Sequence, residues 1–167
     1  KVGIYNLTTE QTLYLETGEP EDRFFTNISW TPDGNNLLVA EINRAQNHMM
    51  LNLYSAVTGR KIKTLFEEHD DCWIEPTTAA LFLKKNPQQF VWQSKRDGYN
   101  HLYLYDLNGK LIRQLTKGNW NVTEFYGFDA SEHNYYIQST AEGYLERHVY
   151  KVNASNGKSH RLTQAAG

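Results

Sequence analysis

A chain of 167 residues, 40% of them hydrophobic, is long enough for one domain with a real core, which excludes disorder. Its 17 basic and 19 acidic residues leave a formal net charge of −2, so no basic stripe exists to track a phosphate backbone, and nucleic acid is not an expected partner. No apolar run approaches the roughly 18 residues of a membrane span, the opening KVGIYNLTTE lacks a signal-peptide core, and the lone Cys72 permits neither an internal disulfide nor a structural zinc spacing.

Taken in chain order, the predicted elements are all strands. Lys1 already reads as strand, so the chain is expected to be an excised part of a longer protein, and KVGIYNLTTEQTLYLE reads as strand, polar turn, strand. Alternating runs follow at Phe24 to Trp30 and Leu37 to Asn43, divided by Thr31-Pro-Asp-Gly34, where Pro and Gly suit a tight turn. Asn52 to Leu65 forms a hairpin around Gly59, Pro76 to Phe82 is assigned as strand, and Phe90 to Ser94 runs into the turn Lys95-Arg-Asp-Gly98. His101 to Thr116 is a hairpin around Gly109, Phe125 to Asp129 and Tyr135 to Ser139 are strands, Glu142-Gly143 makes a turn, and His148 to Thr163 is a hairpin around Gly157.

The three hairpins share one layout. Gly59, Gly109 and Gly157 lie 50 and then 48 residues apart, and stepping back the same distance lands in the opening hairpin. Four strands per repeat of this length predict a partial all-β propeller of about three four-stranded antiparallel blades plus the end of another. The expected units of this single propeller fragment are 1–20, 21–68, 69–118 and 119–167. A β-sandwich is the rival, but it has no reason to reuse one hairpin at near-constant spacing.

The run Trp92 to Asp106 (WQSKRDGYNHLYLYD), with Gln114-Leu-Thr-Lys-Gly-Asn-Trp-Asn-Val122 and Phe125-Tyr-Gly-Phe128 behind it, resembles the propeller region of the dipeptidyl peptidase IV family of serine peptidases. The Ser-x-Arg-Asp-Gly turn and Leu-Tyr-x-Tyr-Asp strand are shared with TolB-type and prolyl oligopeptidase-type propellers; the Thr-Lys-Gly-x-Trp-x-Val extension is the more specific part. The resemblance implies a propeller that caps an α/β-hydrolase domain, which removes N-terminal dipeptides from peptides in the periplasm or outside the cell. It also implies a pair of adjacent substrate-holding glutamates in a region preceding Lys1. The Gly-x-Ser-x-Gly elbow that such a hydrolase needs is absent from this sequence, so no catalytic residue is expected here. The expected partners are therefore the remaining blades, the hydrolase domain and a peptide substrate, with self-association of the isolated fragment and no cofactor. The expected role is to wall the substrate tunnel and gate access. The alternative is a TolB-like protein-binding module with no enzyme attached.

Trp73 and Glu75 are the candidate substrate-binding residues, placed at the tunnel because the first strand of a blade faces the channel; blade packing for the Trp and a surface charge for the Glu are the plainer readings. Glu67-Glu68 is the only adjacent glutamate pair, and with His69, Asp70 and Asp71 it reads as a solvated acidic loop in preference to a hard-cation site. No arginine lies between Arg60 and Arg96, so an arginine contact to substrate, made in some family members, is not carried over. His48, His69, His101, His133, His148 and His160 show no helical pairing, and no metal site is expected; His101 and His148 occupy one repeat position, which implies a structural role. Asp97 and Asp106 read as turn residues with Arg96 beside them, Cys72 as a small buried hydrophobe, and the Asn-x-Ser/Thr triplets at Asn6, Asn27, Asn121 and Asn153 as chance.

Overall fold

The computed structural model describes residues 1–165, so the last two residues of the expected 119–167 unit lie outside the described residues. Fourteen strands and no helix occur among them. The opening sheet pairs β1 (Gly3–Asn6) with β2 (Gln11–Tyr14). The second holds β3 (Phe24–Trp30), β4 (Asn36–Ile42), β5 (His48–Ser55) and β6 (Lys61–His69) in that order. The third holds β7 (Leu81–Phe82), β8 (Gln89–Ser94), β9 (His101–Asp106) and β10 (Leu111–Gln114), and the fourth β11 (Val122–Phe128), β12 (Asn134–Ser139), β13 (His148–Asn153) and β14 (Ser159–Arg161). Each pair described is antiparallel between sequence neighbours, the meander of propeller blades: three four-stranded blades and the closing hairpin of another.

Turn chemistry fixes the register. Gly34 and Gly98 take φ of 70° and 86° and donate their amides to the carbonyls of Thr31 and Lys95, both at 2.8 Å, a conformation glycine adopts without a Cβ penalty. Gly143 closes on Thr140 at 3.2 Å without left-handed backbone.

Two compact units result: Lys1–Phe82 with Leu107–Lys110, and Leu83–Asp106 with the chain from Leu111 onward. In the first, Leu15, Leu37, Val39 and Tyr54 form a buried cluster against which Val2 and Ile4 of the opening hairpin pack. In the second, Val91, Leu102 and Leu104 meet Val122, Tyr135, Ile137, Tyr150 and Val152. That cluster is the contact of one blade with the next, built from period-two faces.

A bulge serves it. Strict alternation would send Phe125 and Phe128 to opposite faces, but the register of β11 shifts between Phe125 and Gly127, where Gly127 takes φ of 99°. Both phenylalanine rings therefore reach Tyr135, at centroid distances of 6.3 and 5.7 Å, and stand edge-on to each other at 5.9 Å.

Two expectations are corrected. The strand assigned to Pro76 to Phe82 is formed only at Leu81–Phe82; Asp70 to Ala80 is irregular, since Pro76 lacks the N–H a ladder needs and the segment's amides bond to turns. Glu67, Glu68 and His69 are not loop: β6 runs to His69 because β5 supplies partners as far as His48.

Candidate functional site

Antiparallel order brings the β4–β5 turn, the start of β5 and the end of β6 to one end of the second sheet. The turn is tied by Asn43, whose Oδ1 accepts the amides of Asn47 and His48 at 3.0 and 3.1 Å. The segment after β6 is stitched to this end of the sheet. Asp70 N–H donates to Asn47 O at 3.0 Å, Ile74 N–H to Gln46 O at 2.6 Å, and Asn27 Nδ2 to Pro76 O at 3.3 Å from a bulge where Asn27 has φ of 51°.

Trp73 and Glu75 stand on this stitched segment, not on a strand. Trp73 is 61% exposed and Glu75 is exposed, so an indole and a carboxylate are both available to a ligand. Cys72 is exposed, against the expectation of a buried small hydrophobe, because its amide is held by Asp70 Oδ1 at 2.8 Å within the same irregular turn. On the adjoining strands, His48 and His69 are direct cross-strand partners whose rings stack at 4.0 Å, and His48 Nε2 lies 2.7 Å from Glu67 Oε2.

A buried charge sits in the same unit. Glu41, 2% exposed, pairs with Arg23 Nε at 3.2 Å and accepts the Tyr54 hydroxyl. Arg23 also donates to the carbonyls of Thr17, Gly18 and Glu19, and its guanidinium lies 5.3 Å from the Phe25 ring centroid. Burial, reinforced by the hydrogen bond to Glu41, pushes the Tyr54 phenol well above its ordinary range. With each charge paired and hydrogen-bonded, the group anchors residues 17–19 to the sheet. The sequence carried one unread signal for it: Glu41 is the single charge in the otherwise apolar run Leu37 to Ile42.

In the second unit, the sequence signature forms a latch. His101, 1% exposed, sets Nδ1 3.1 Å from Thr116 Oγ1 and Nε2 2.9 Å from Gly118 O, while the Leu102 amide donates to the same Thr116 oxygen at 3.0 Å. These partners fix the tautomer: the Thr116 hydroxyl donates to Nδ1, and Nε2–H donates to the Gly118 carbonyl. Trp120 meets the His101 ring edge-on at 5.0 Å, and a Cβ on Gly118 would fall 2.3 Å from Trp120 Nε1, so glycine is required there. Asn121 Oδ1 accepts the Asn100 amide at 2.8 Å, and Asn100 Nδ2 donates to Val122 O at 3.0 Å. Each residue of Thr-Lys-Gly-Asn-Trp-Asn-Val except Lys117 and Asn119 thus has a named task.

His148, 2% exposed, repeats the arrangement with Thr163: Nδ1 to Oγ1 at 3.1 Å, and the Val149 amide to that oxygen at 3.1 Å. Its Nε2 instead meets Glu146 Oε2 at 2.9 Å. Arg96 stacks over Tyr103 and Tyr105, at 4.5 and 5.4 Å, and donates to the Tyr105 hydroxyl, while Asp97 accepts from the Tyr103 hydroxyl at 2.7 Å and from Gln114 Nε2 at 3.1 Å. These residues hold the β8–β9 turn to its own strands. Of the triplet asparagines, Asn6 and Asn153 also use their side-chain oxygens to cap backbone amides of their own turns.

Sheets of this kind, repeated with one histidine–threonine latch, define a β-propeller segment. The chain belongs to the family of the dipeptidyl peptidase IV (DPP IV) N-terminal region, which it matches over residues 1–167. Dipeptidyl peptidase 4 of the fungus Arthroderma otae is 29% identical over 151 residues, covering 87% of this chain and 19% of that protein. Among solved structures, a protein of Bacteroides ovatus assigned as a dipeptidyl aminopeptidase IV is 40% identical with a TM-score of 0.87, covering 94% of this chain and 25% of that one. Porphyromonas gingivalis dipeptidyl peptidase 4 is 28% identical with a TM-score of 0.85, covering 99% of this chain and 23% of that one. The chain spans about a fifth of the length of the curated relative.

Proposed function

We propose that this chain is a non-catalytic propeller segment of a DPP IV-like serine exopeptidase located in the periplasm or outside the cell. It forms part of one propeller that walls a substrate tunnel and gates access to an α/β-hydrolase domain. The hydrolase releases dipeptides from peptide N-termini; the propeller blades exclude folded proteins by size. The single observation that carries this reading is the match to the DPP IV N-terminal region along the whole chain, in relatives about five times as long. The match also favours an enzyme parent over a free-standing TolB-like binding module.

Within that reading Trp73 and Glu75 face the tunnel. Their exposure on a segment held by backbone bonds to the β4–β5 turn supports it: an indole offers a stacking face, and a carboxylate attracts the cationic N-terminus of a peptide. In the peptidase that contains this chain, Trp73→Ala and Glu75→Gln are expected to raise KM for a peptide substrate several-fold while kcat is kept, the pattern of binding lost equally from the ground state and the transition state. Unchanged kinetics in both variants would remove the two residues from the tunnel. The chain by itself is expected to release no p-nitroaniline from Gly-Pro-p-nitroanilide, and turnover that survived repurification would refute the non-catalytic assignment.

A further inference from the structure

We propose that His48, Glu67 and His69 form a binding site for one divalent transition-metal ion of the Zn2+ class. The donor atoms of the three side chains lie within 4.8 Å of one another. His48 and His69 are paired across β5 and β6, and Glu67 is two residues before His69 on the same strand, so all three project from one face of the sheet. The backbone beneath them is held by a ladder on one side and by the Asn43 turn on the other.

The donor set selects the ion. Two imidazoles with one carboxylate suit zinc, copper or nickel, whereas calcium and magnesium take oxygen ligands in larger number. The acidic neighbours do not convert it into a hard-cation site. Glu68 lies on the opposite face of β6, opposite Met49, and Asp70 Oδ1 already accepts the Cys72 amide.

A tetrahedral zinc holds its nitrogen and oxygen ligands about 3.3 Å apart, given bonds of about 2.0 Å. His48 Nε2 and Glu67 Oε2 are already at 2.7 Å, and His69 Nε2 is 3.8 Å from the same oxygen. The rings now lie within 9° of parallel, and one ion cannot sit in the plane of both. Binding therefore requires the rings to splay. His69, with 70% of its side chain exposed, has the room to do so, and the carboxylate gives up its contact with His48 for the metal. Open coordination positions remain toward water. An ion there would clasp the end of β6 to β5 at the point where the segment carrying Trp73 and Glu75 departs.

The test is calorimetric titration of the chain with Zn2+ in a Cys72→Ser background, which removes the one competing thiol. One ion per chain is expected, with affinity lowered about tenfold or more in each of His48→Ala, His69→Ala and Glu67→Gln. His133→Ala and His160→Ala, at exposed histidines elsewhere, are expected to bind as the parent does. Histidine side-chain 15N NMR should show the His48 and His69 resonances, and no others, moving on zinc addition. Affinity kept in His69→Ala, whose side chain is too exposed to affect folding, or zinc-induced shifts spread over the other histidines, would overturn the proposal.

Discussion

Strands β8 and β9 are buried on both faces along nearly their whole length, while β12 and β13, the matching pair one repeat later, are buried only at every second residue. The fourth sheet is the last of this sequence, so its face away from the third has no sheet of this chain's described residues against it, and the side chains differ as well. On β9, Leu102 and Leu104 face the fourth sheet and Tyr103 and Tyr105 the other side; counting from His101 and His148, the same places on β13 hold Val149 and Lys151, and Tyr150 and Val152. The aromatic and β-branched side keeps its apolar character in both blades, and the aliphatic side becomes mixed, with Lys151 and Gln138 on it. Between these two sheets, one face keeps its apolar residues and the other does not.

Truncation gives the sharpest contrast. Leu104→Ala should cost about 2–5 kcal/mol through lost burial and a cavity, whereas Lys151→Ala at the matching place should stay within about 0.5 kcal/mol, both read by urea unfolding. Equal losses would abolish the distinction between the faces. A smaller effect is expected from the two latches. Thr116→Val strands the Leu102 amide and His101 Nδ1 in a buried setting, at about 1–3 kcal/mol, and Thr163→Val costs less because Thr163 is open to water, which can replace the lost partner. A larger loss at Thr163 would place the repeat's main stabilisation in the wrong blade.

Association should follow the aromatic surface and spare the mixed one. Tyr5 and Tyr14 project from the outer face of the opening hairpin, both more than half exposed, while Ile4 packs inward. Multi-angle light scattering is expected to show self-association that weakens several-fold in the Tyr5→Ser, Tyr14→Ser double variant and persists in Gln138→Glu, Lys151→Glu. A strict monomer at high concentration removes the prediction. The smallest effect concerns Asp129, at the β11–β12 turn. Hydrogen bonds from the Asn134 side chain first, then from Ser131 and the His133 and Asn134 amides, hold its carboxyl at about 2 against an ordinary 3.8. A lowered acid stabilises the fold above its unfolded value and loses that contribution as pH falls through about 2. Asp129→Asn should flatten the stability profile between pH 4 and 2; an unchanged slope would show the turn to be indifferent to the charge.

Repetition made most of the strands legible, because three hairpins with a glycine at one place specify each other's register. Phe24 to Trp30 was bounded to the residue, and β4, β8 and β12 within a residue or so, since turn chemistry brackets them. Tyr135 and Tyr150, whose phenols burial pushes up to about 12, were placed on strands, but their shared contact was not readable from one blade alone.

The histidine pair was hidden for a definite reason. Continuing the pairing of Tyr54 with Lys61 without a break sets His48 opposite Glu67, and two bulges in β6 shift the register by two residues to His69. Bulges leave little mark on hydrophobic alternation, so residue spacing could not show that the rings meet. For the Arg23–Glu41–Tyr54 group the one signal was the lone charge of Glu41, and its partners were silent because their meeting depends on the path of residues 17–23 over the sheet. Trp73 and Glu75 were singled out on the premise of a channel-facing strand; what the chain has instead is an irregular segment fixed by three hydrogen bonds.

The bulge at Gly127 lets β11 carry one residue more than the strand it pairs with. Removing that residue would leave Phe125 and Phe128 two apart, which simple alternation keeps on one face with Tyr126 on the other, so the bulge absorbs one extra residue without turning the strand over. Residues 70 to 80 carry no such parity. A residue gained in β11 with no bulge to absorb it would turn the rest of the strand to the other face, whereas a change of length between 70 and 80 turns no strand over.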